Sequence, residues 1–326
     1  MGEGRVLLVW LLASFAGSAT GLHAWNPLLR QIRPLSGNDG KSIRVFGGVG
    51  APLSVVAYDT TTQRVARHGS MPHSHDSAAA QRGREMVSVG GESQSLAPLL
   101  YDGERFTRAS TPYGTAMRLQ ASNYGKSAAI AGDEFYSCGG FAYYPRYAPT
   151  ARCYAYSFEK GSWREAASMP KALHGVALVH HEGHLYAMGG YSHDFQATVN
   201  RLELRTGKWR PVSPLPKPAR DGRALKVDIG RDEQGILFCG GLHNGEETSS
   251  DCWIYDLRND RWHTMASLSQ PRHQFGLVSC GGNVYALGGF DGQRRLSSIE
   301  RLGRFGWKRL RARLPAAIFA FEVGCF

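Results

Sequence analysis

A pair of glycines recurs six times along this chain, each time after a short apolar run. The pairs are Gly47-Gly48, Gly90-Gly91, Gly139-Gly140, Gly189-Gly190, Gly240-Gly241 and Gly288-Gly289. Successive first glycines are 43, 49, 50, 51 and 48 residues apart. A sustained period of this size marks a repeat architecture in which each repeat is one supersecondary unit. The 40 glycines in 326 residues exceed ordinary usage but follow no three-residue period, which excludes a collagen-like chain.

Other features recur with the glycines. An aromatic strand follows, with Tyr58-Asp59, Tyr101-Asp102 and Tyr255-Asp256 in three repeats. Trp163, Trp209 and Trp262 stand seven residues after Tyr156, Leu202 and Tyr255, and Trp307 is their counterpart in the last repeat. Then come Met71-Pro72, Met169-Pro170, Leu215-Pro216 and Leu314-Pro315, and after them a strand of small residues such as Gly175-Val176-Ala177-Leu178-Val179. Each repeat therefore offers four short strands separated by turns. One such sheet cannot bury both faces alone, but sheets stacked in a ring bury each face against a neighbour. The tryptophan is large enough to fill the space between sheets. No Gly-x-Gly-x-x-Gly opens a helix, so the glycines do not form a phosphate loop.

The segments HLYAMGGYS, NDRWHTMASL and VYALGGFDG make the chain resemble the kelch-repeat family over roughly residues 42–326. The resemblance is strong in repeats three to six and weaker in one and two, where Val65 and Phe106 replace the tryptophan. It implies an all-β, six-bladed propeller. The strands of each blade are named a to d from the channel outward, with the double glycine ending strand b. The first double glycine then ends a strand b, Ser42 to Phe46, and the chain's last apolar stretch, Ile318 to Val323, is expected to supply strand a of the same blade. That closes the ring and removes an exposed edge. A weaker candidate for this strand is Gln31 to Ser36.

Six cysteines allow fifteen pairings. The repeat register places Cys138 and Cys153, and likewise Cys239 and Cys252, across the antiparallel strands b and c of their blades. Such neighbours have Cα atoms about 4.5 Å apart, within disulfide reach. Cys280 and Cys325 each end a strand a in adjoining blades, and a bond between them would staple the ring. Buried free thiols are the alternative.

At the N-terminus, Arg5 precedes the apolar run Val6 to Phe15 and the small residues Ala16 to Gly21, the pattern of a secretory leader. The expected organisation is a leader over 1–24, a lead-in over 25–41 and the propeller over 42–326. The chain is then secreted into an oxidising, extracellular setting, without a transmembrane segment and as a monomer. It contains no Asn-x-Ser/Thr acceptor site.

The net charge of +11 favours acidic partners, although the arginines read as scattered rather than run together. Nucleic acid is not the expected partner. No His-Glu-x-x-His, Cys-x-x-Cys or nucleophile elbow is present, and no motif calls for a cofactor or a metal. His73, His75 and Asp76, and the group His180, His181 and His184, are the nearest approaches to a metal-ligand cluster.

The kelch resemblance implies that partners dock where the loops after the glycines and the d-to-a turns share one mouth of the channel. The turns carry His75, His174, Arg220, Arg223, Arg272 and His273; the loops carry Tyr143, Tyr191 and Phe290. Arginine can grip a carboxylate or sulfate and aromatic rings supply desolvated packing. The expected function is a secreted protein- or glycan-binding module for an acidic ligand, with affinity falling as salt rises and rising as pH drops through about 6.5. Kelch turns also use arginine to satisfy carbonyls between blades. The alternative function is a secreted carbohydrate-active enzyme of the sialic acid mutarotase type. A deep pocket with converging acid, arginine and histidine would favour it. An intracellular kelch-type adaptor is a third reading.

Overall fold

A computed structural model describes residues 33–34, 40–72, 77–90, 98–109, 126–142, 148–230 and 233–326. Six antiparallel sheets form the six blades, five of them four-stranded and that of blade five extended to five strands by Arg33–Pro34. Blade three runs Lys126–Ala131, Glu134–Gly139, Cys153–Ser157 and Ser162–Ala166 from inside out. Blades four, five and six begin at the channel with Ala177–His181, Arg223–Gly230 and Gly276–Cys280. Blade two is built from Ser77–Arg82, Glu85–Gly90, Leu99–Tyr101 and Phe106–Arg108.

Both ends of the chain build blade one. Its strands b, c and d are Ser42–Phe46, Ser54–Asp59 and Val65–Ser70, and its strand a is the tail, Glu322–Cys325. The pairing register is Ile43 with Cys325 and Phe46 with Glu322. The ring is closed as expected, but the closing strand starts four residues later than the apolar stretch implies. Ile318 still belongs to the outer strand of blade six, Gly306–Ile318, and Ala320 turns the chain at φ 52°. Arg33–Pro34 pairs with Asp228 and Val227 on strand a of blade five, so it is not strand a of blade one. Residues 1–32 lie outside the described residues, and the expected leader with them.

The glycines act at blade boundaries. A Cβ on Gly189 would lie 2.3 Å from the carbonyl oxygen of Ala219, and one on Gly240 2.3 Å from that of Arg272. Both oxygens belong to the chain entering the next blade. The second glycine's N–H donates to the same carbonyl: Gly140 to Leu173 at 2.9 Å, Gly190 to Ala219 at 2.8 Å and Gly241 to Arg272 at 3.0 Å. The pair thus couples neighbouring blades at the point where a side chain would hold them apart.

The tryptophans fill the seams behind them. Trp163, Trp209, Trp262 and Trp307 each pack into a core cluster shared with the preceding blade. Trp209 also donates its indole N–H to Ala167 O at 2.9 Å, and Trp262 to Ser213 O at 2.9 Å. Phe106 takes the equivalent place in blade two, edge-on to Phe46 at 6.3 Å. Disulfides join Cys138 to Cys153, Cys239 to Cys252 and Cys280 to Cys325, with Cα separations of 4.1, 4.2 and 5.3 Å.

Candidate binding site at the channel mouth

The inner strands leave a cavity of about 290 Å³ along the axis, walled largely by small residues including Ala79, Ala128, Ala177 and Gly276. Its charged lining residues are Arg223 and Glu322, 3.9 Å apart. Arg223 also donates to Phe275 O at 2.8 Å and Phe321 O at 3.4 Å, so it ties blade five to blades six and one. No histidine lines this cavity among the described residues, so the acid, arginine and histidine of a mutarotase-like pocket do not converge there.

At one mouth the approach to strand a and the exit from strand b remain hydrogen-bonded beyond the regular ladder. His174 pairs with Tyr191, Arg220 with Leu242 and His273 with Phe290, one pair each in blades four, five and six. The turns and post-glycine loops therefore share this mouth. Next to these pairs, Gly175, Asp221, Gln274 and Ala320 all hold positive φ, at 65°, 57°, 47° and 52°. The N–H of Asp221 donates to Gly175 O at 2.8 Å, that of Gln274 to Asp221 O at 3.0 Å and that of Ala320 to Gln274 O at 2.9 Å. A backbone belt thus runs from blade four to blade one. Three of its members are not glycine, a local strain held in place by these bonds.

Arg220 is the centre of the mouth. Its guanidinium lies 5.5 Å from the Tyr191 ring and 5.6 Å from the Phe195 ring. It bonds Asp221 at 2.6 Å and Glu246 at 3.1 Å. The Asp221 side chain is 7% exposed, that of Glu246 68%. One carboxylate is thus part of the wall, and the other reaches in from solvent.

His174 and His273 flank this group. Burial holds both imidazoles below the ordinary histidine range, although the Asp221 charge pulls the other way. His273 Nδ1 lies 3.1 Å from the Thr248 hydroxyl. His243, stacked on Trp253 with centroids 5.9 Å apart, is likewise pushed down by burial.

A family model described as the kelch motif matches residues 122–170, 172–216 and 271–302. These are repeats three, four and six of the ring. Among curated proteins, Kelch-like protein 41b of Danio rerio is 28% identical over 134 residues, which is 40% of this chain and 21% of that protein. Human Kelch-like protein 24 is 37% identical over 95 residues, 29% of this chain and 14% of its own length. Kelch-like protein terF of Aspergillus terreus is 28% identical over 177 residues, 50% of this chain and 38% of that protein. The chain is a kelch-repeat β-propeller. Its matches span well under half the length of these relatives.

Within this kelch ring, the sequence-derived site residues separate by position. Tyr191, Arg220, His174, His273 and Phe290 gather at the mouth, and Arg223 lies in the channel wall. Arg272 does not reach the surface: it is fully buried, bonded to Glu300, and donates to Gly288 O at 2.7 Å. It occupies the position filled by Leu173, Ala219 and Ile318 elsewhere, whose carbonyls also accept from a glycine N–H. Its role is therefore the carbonyl-satisfying one. His73, His75, Asp76, Tyr143 and Tyr144 lie outside the described residues. His181 and His184 face each other across a strand hairpin of blade four. No group of three or more His, Cys, Asp or Glu side chains suited to a metal occurs among the described residues. No helix there is long and apolar enough to cross a membrane. Phe195, Glu246 and Gln274 join the mouth without having been read from the sequence, because the loops that carry them vary in length between repeats.

Proposed function

We propose that this kelch propeller is a secreted binding module that captures an acidic ligand at its mouth, either an acidic protein segment or a sulfated or sialylated glycan. The observation that carries this reading is Arg220, stacked beside two rings and shared between a buried Asp221 and an exposed Glu246. A ligand acid replaces Glu246 on the guanidinium, while Asp221 keeps the arginine aimed. The aromatic faces exclude water around the new ion pair and strengthen it. Three disulfides support an oxidising compartment.

The test is affinity capture from extracellular medium with the full chain. Arg220→Gln is expected to lose capture by tenfold or more, whereas Glu246→Gln gains severalfold because the internal competitor is gone. Capture weakens with salt. Burial holds His174 and His273 below the ordinary histidine range, so the acid-side gain sets in at lower pH than for an exposed histidine. Unchanged capture by Arg220→Gln would put the contacts on another face.

A further inference from the structure

The outer strand of blade six, Gly306–Ile318, is 13 residues long, against eight in its partner Leu296–Gly303. The surplus is taken up by two irregularities in the pairing, devices that re-aim side chains at sheet edges. Leu310, Ala312 and Leu314 point into the core between blades six and one. Arg309, Arg311 and Arg313 alternate with them and are exposed, as is Lys308. Alternate residues on a strand share a face, so the three arginines follow one another along the exposed side of this one. Arg304 stands on the hairpin at the end of the same strand, over the ring of the exposed Phe305. From residue 301 to 313 the chain has six arginines and lysines and no Asp or Glu. The positive charge is therefore less evenly scattered than a first reading implies.

This row differs from the basic residues of the mouth. There, Lys171, Lys217, Arg220 and Arg294 each bond a carboxylate. Among the described residues, no ion pair joins Lys308, Arg309, Arg311 or Arg313 to an acid. The nearby Glu300 is buried with Arg272, and its other oxygen accepts from Ser269 N–H at 2.7 Å. Arg64, just before the outer strand of blade one, and Arg67, within it, are exposed and extend the basic rim across the seam.

We propose that this outer strand is a docking site for a linear sulfated polysaccharide, separate from the mouth. A run of exposed guanidiniums along one strand fits an extended chain carrying repeated sulfates, and each planar fork can grip a sulfate through two N–H groups. The choice of polysaccharide over nucleic acid rests on the secreted reading above; the site itself does not.

Heparin serves as the probe, with duplex DNA as the competing polyanion and the full disulfide-bonded chain as the protein. The triple variant Arg309→Gln/Arg311→Gln/Arg313→Gln is expected to lose at least tenfold in heparin affinity, with a shallower salt dependence. Removing the same charge elsewhere, with Arg105→Gln/Arg205→Gln/Arg258→Gln, is expected to change affinity less than twofold. Charges of either sign discourage edge pairing of strands. Replacing the three strand arginines by Glu therefore keeps that protection while abolishing heparin binding. The triple Gln variant on the strand is expected to keep capture of the acidic ligand at the mouth, which separates this site from the mouth. The proposal is overturned if both triple Gln variants lose equally, if the chain with all three strand arginines replaced still binds heparin, or if DNA binds as tightly as heparin.

Discussion

The seams between blades four and five and between blades six and one do the same task with different chemistry. At the first, Trp262 fills the gap and its indole N–H reaches Ser213 O at 2.9 Å. Asp260 accepts the N–H of that same Ser213 at 2.8 Å and also bonds the Tyr255 hydroxyl. At the second, Val65 stands where the tryptophan would be and offers no donor. Tyr58, the counterpart of Tyr255, is fully buried, its hydroxyl has no hydrogen-bond partner among the described residues, and burial pushes its pKa up to about 12. What crosses this seam instead is the bond between Cys280 and Cys325. Where the chain's two ends meet, a covalent link takes the part that a tryptophan and its acceptor play inside a continuous run of repeats.

The contrast can be broken most severely by removing residues 316–326. Blade one then loses strand a and the ring loses its disulfide, so the cooperative melting transition is expected to disappear. An unchanged calorimetric transition would mean that the ring does not depend on closure. Replacing the pair by Cys280→Ala/Cys325→Ala is milder: a loss of about 2–4 kcal/mol by denaturant titration, without loss of the fold. Trp262→Phe is milder again, at about 1–2 kcal/mol from the lost hydrogen bond and volume. Trp307→Phe should cost less than that, because the Trp307 indole nitrogen is buried without a partner among the described residues. Equal losses at Trp262 and Trp307 would show that volume alone sets the strength of a seam.

The repeat was legible because both of its markers are forced by sterics. In repeats three, four and five a carbonyl entering the next blade lies 2.3–2.5 Å from the would-be Cβ of the first glycine, at positive φ, so a side chain there is excluded. Two disulfides were legible for a related reason, since strands b and c set Cys138 opposite Cys153 and Cys239 opposite Cys252. The tail was misplaced because Phe319-Ala320-Phe321 is apolar and reads as strand. It is the counterpart of His273-Gln274-Phe275, a turn whose middle residue takes positive φ. Composition cannot show that, whereas aligning Phe321 with Phe275 could have.

Arg220 and Arg272 also look alike in sequence, each in a turn entering a blade. One register position separates them. Arg220 aligns with His174 and His273, which border the mouth, and Arg272 aligns with the buried Leu173 and Ala219. A buried guanidinium needs an acid, and Glu300 is 28 residues away on another strand. Nothing local in the sequence announces that partner. The basic row on blade six escaped notice because Leu310, Ala312 and Leu314 interrupt it as letters, although not in space.

Strand a of blade one runs away from the mouth, from Glu322 beside Phe46 to Phe326 beside Ser42. Residues 40 and 326 therefore sit together on the opposite side of the disc. Anything fused after Phe326, whether a bead or another protein, holds the propeller from behind. The mouth then faces outward like the bowl of a dish on a short stem. A chain tethered in this way keeps its mouth open to passing ligand without any adjustment of the linker.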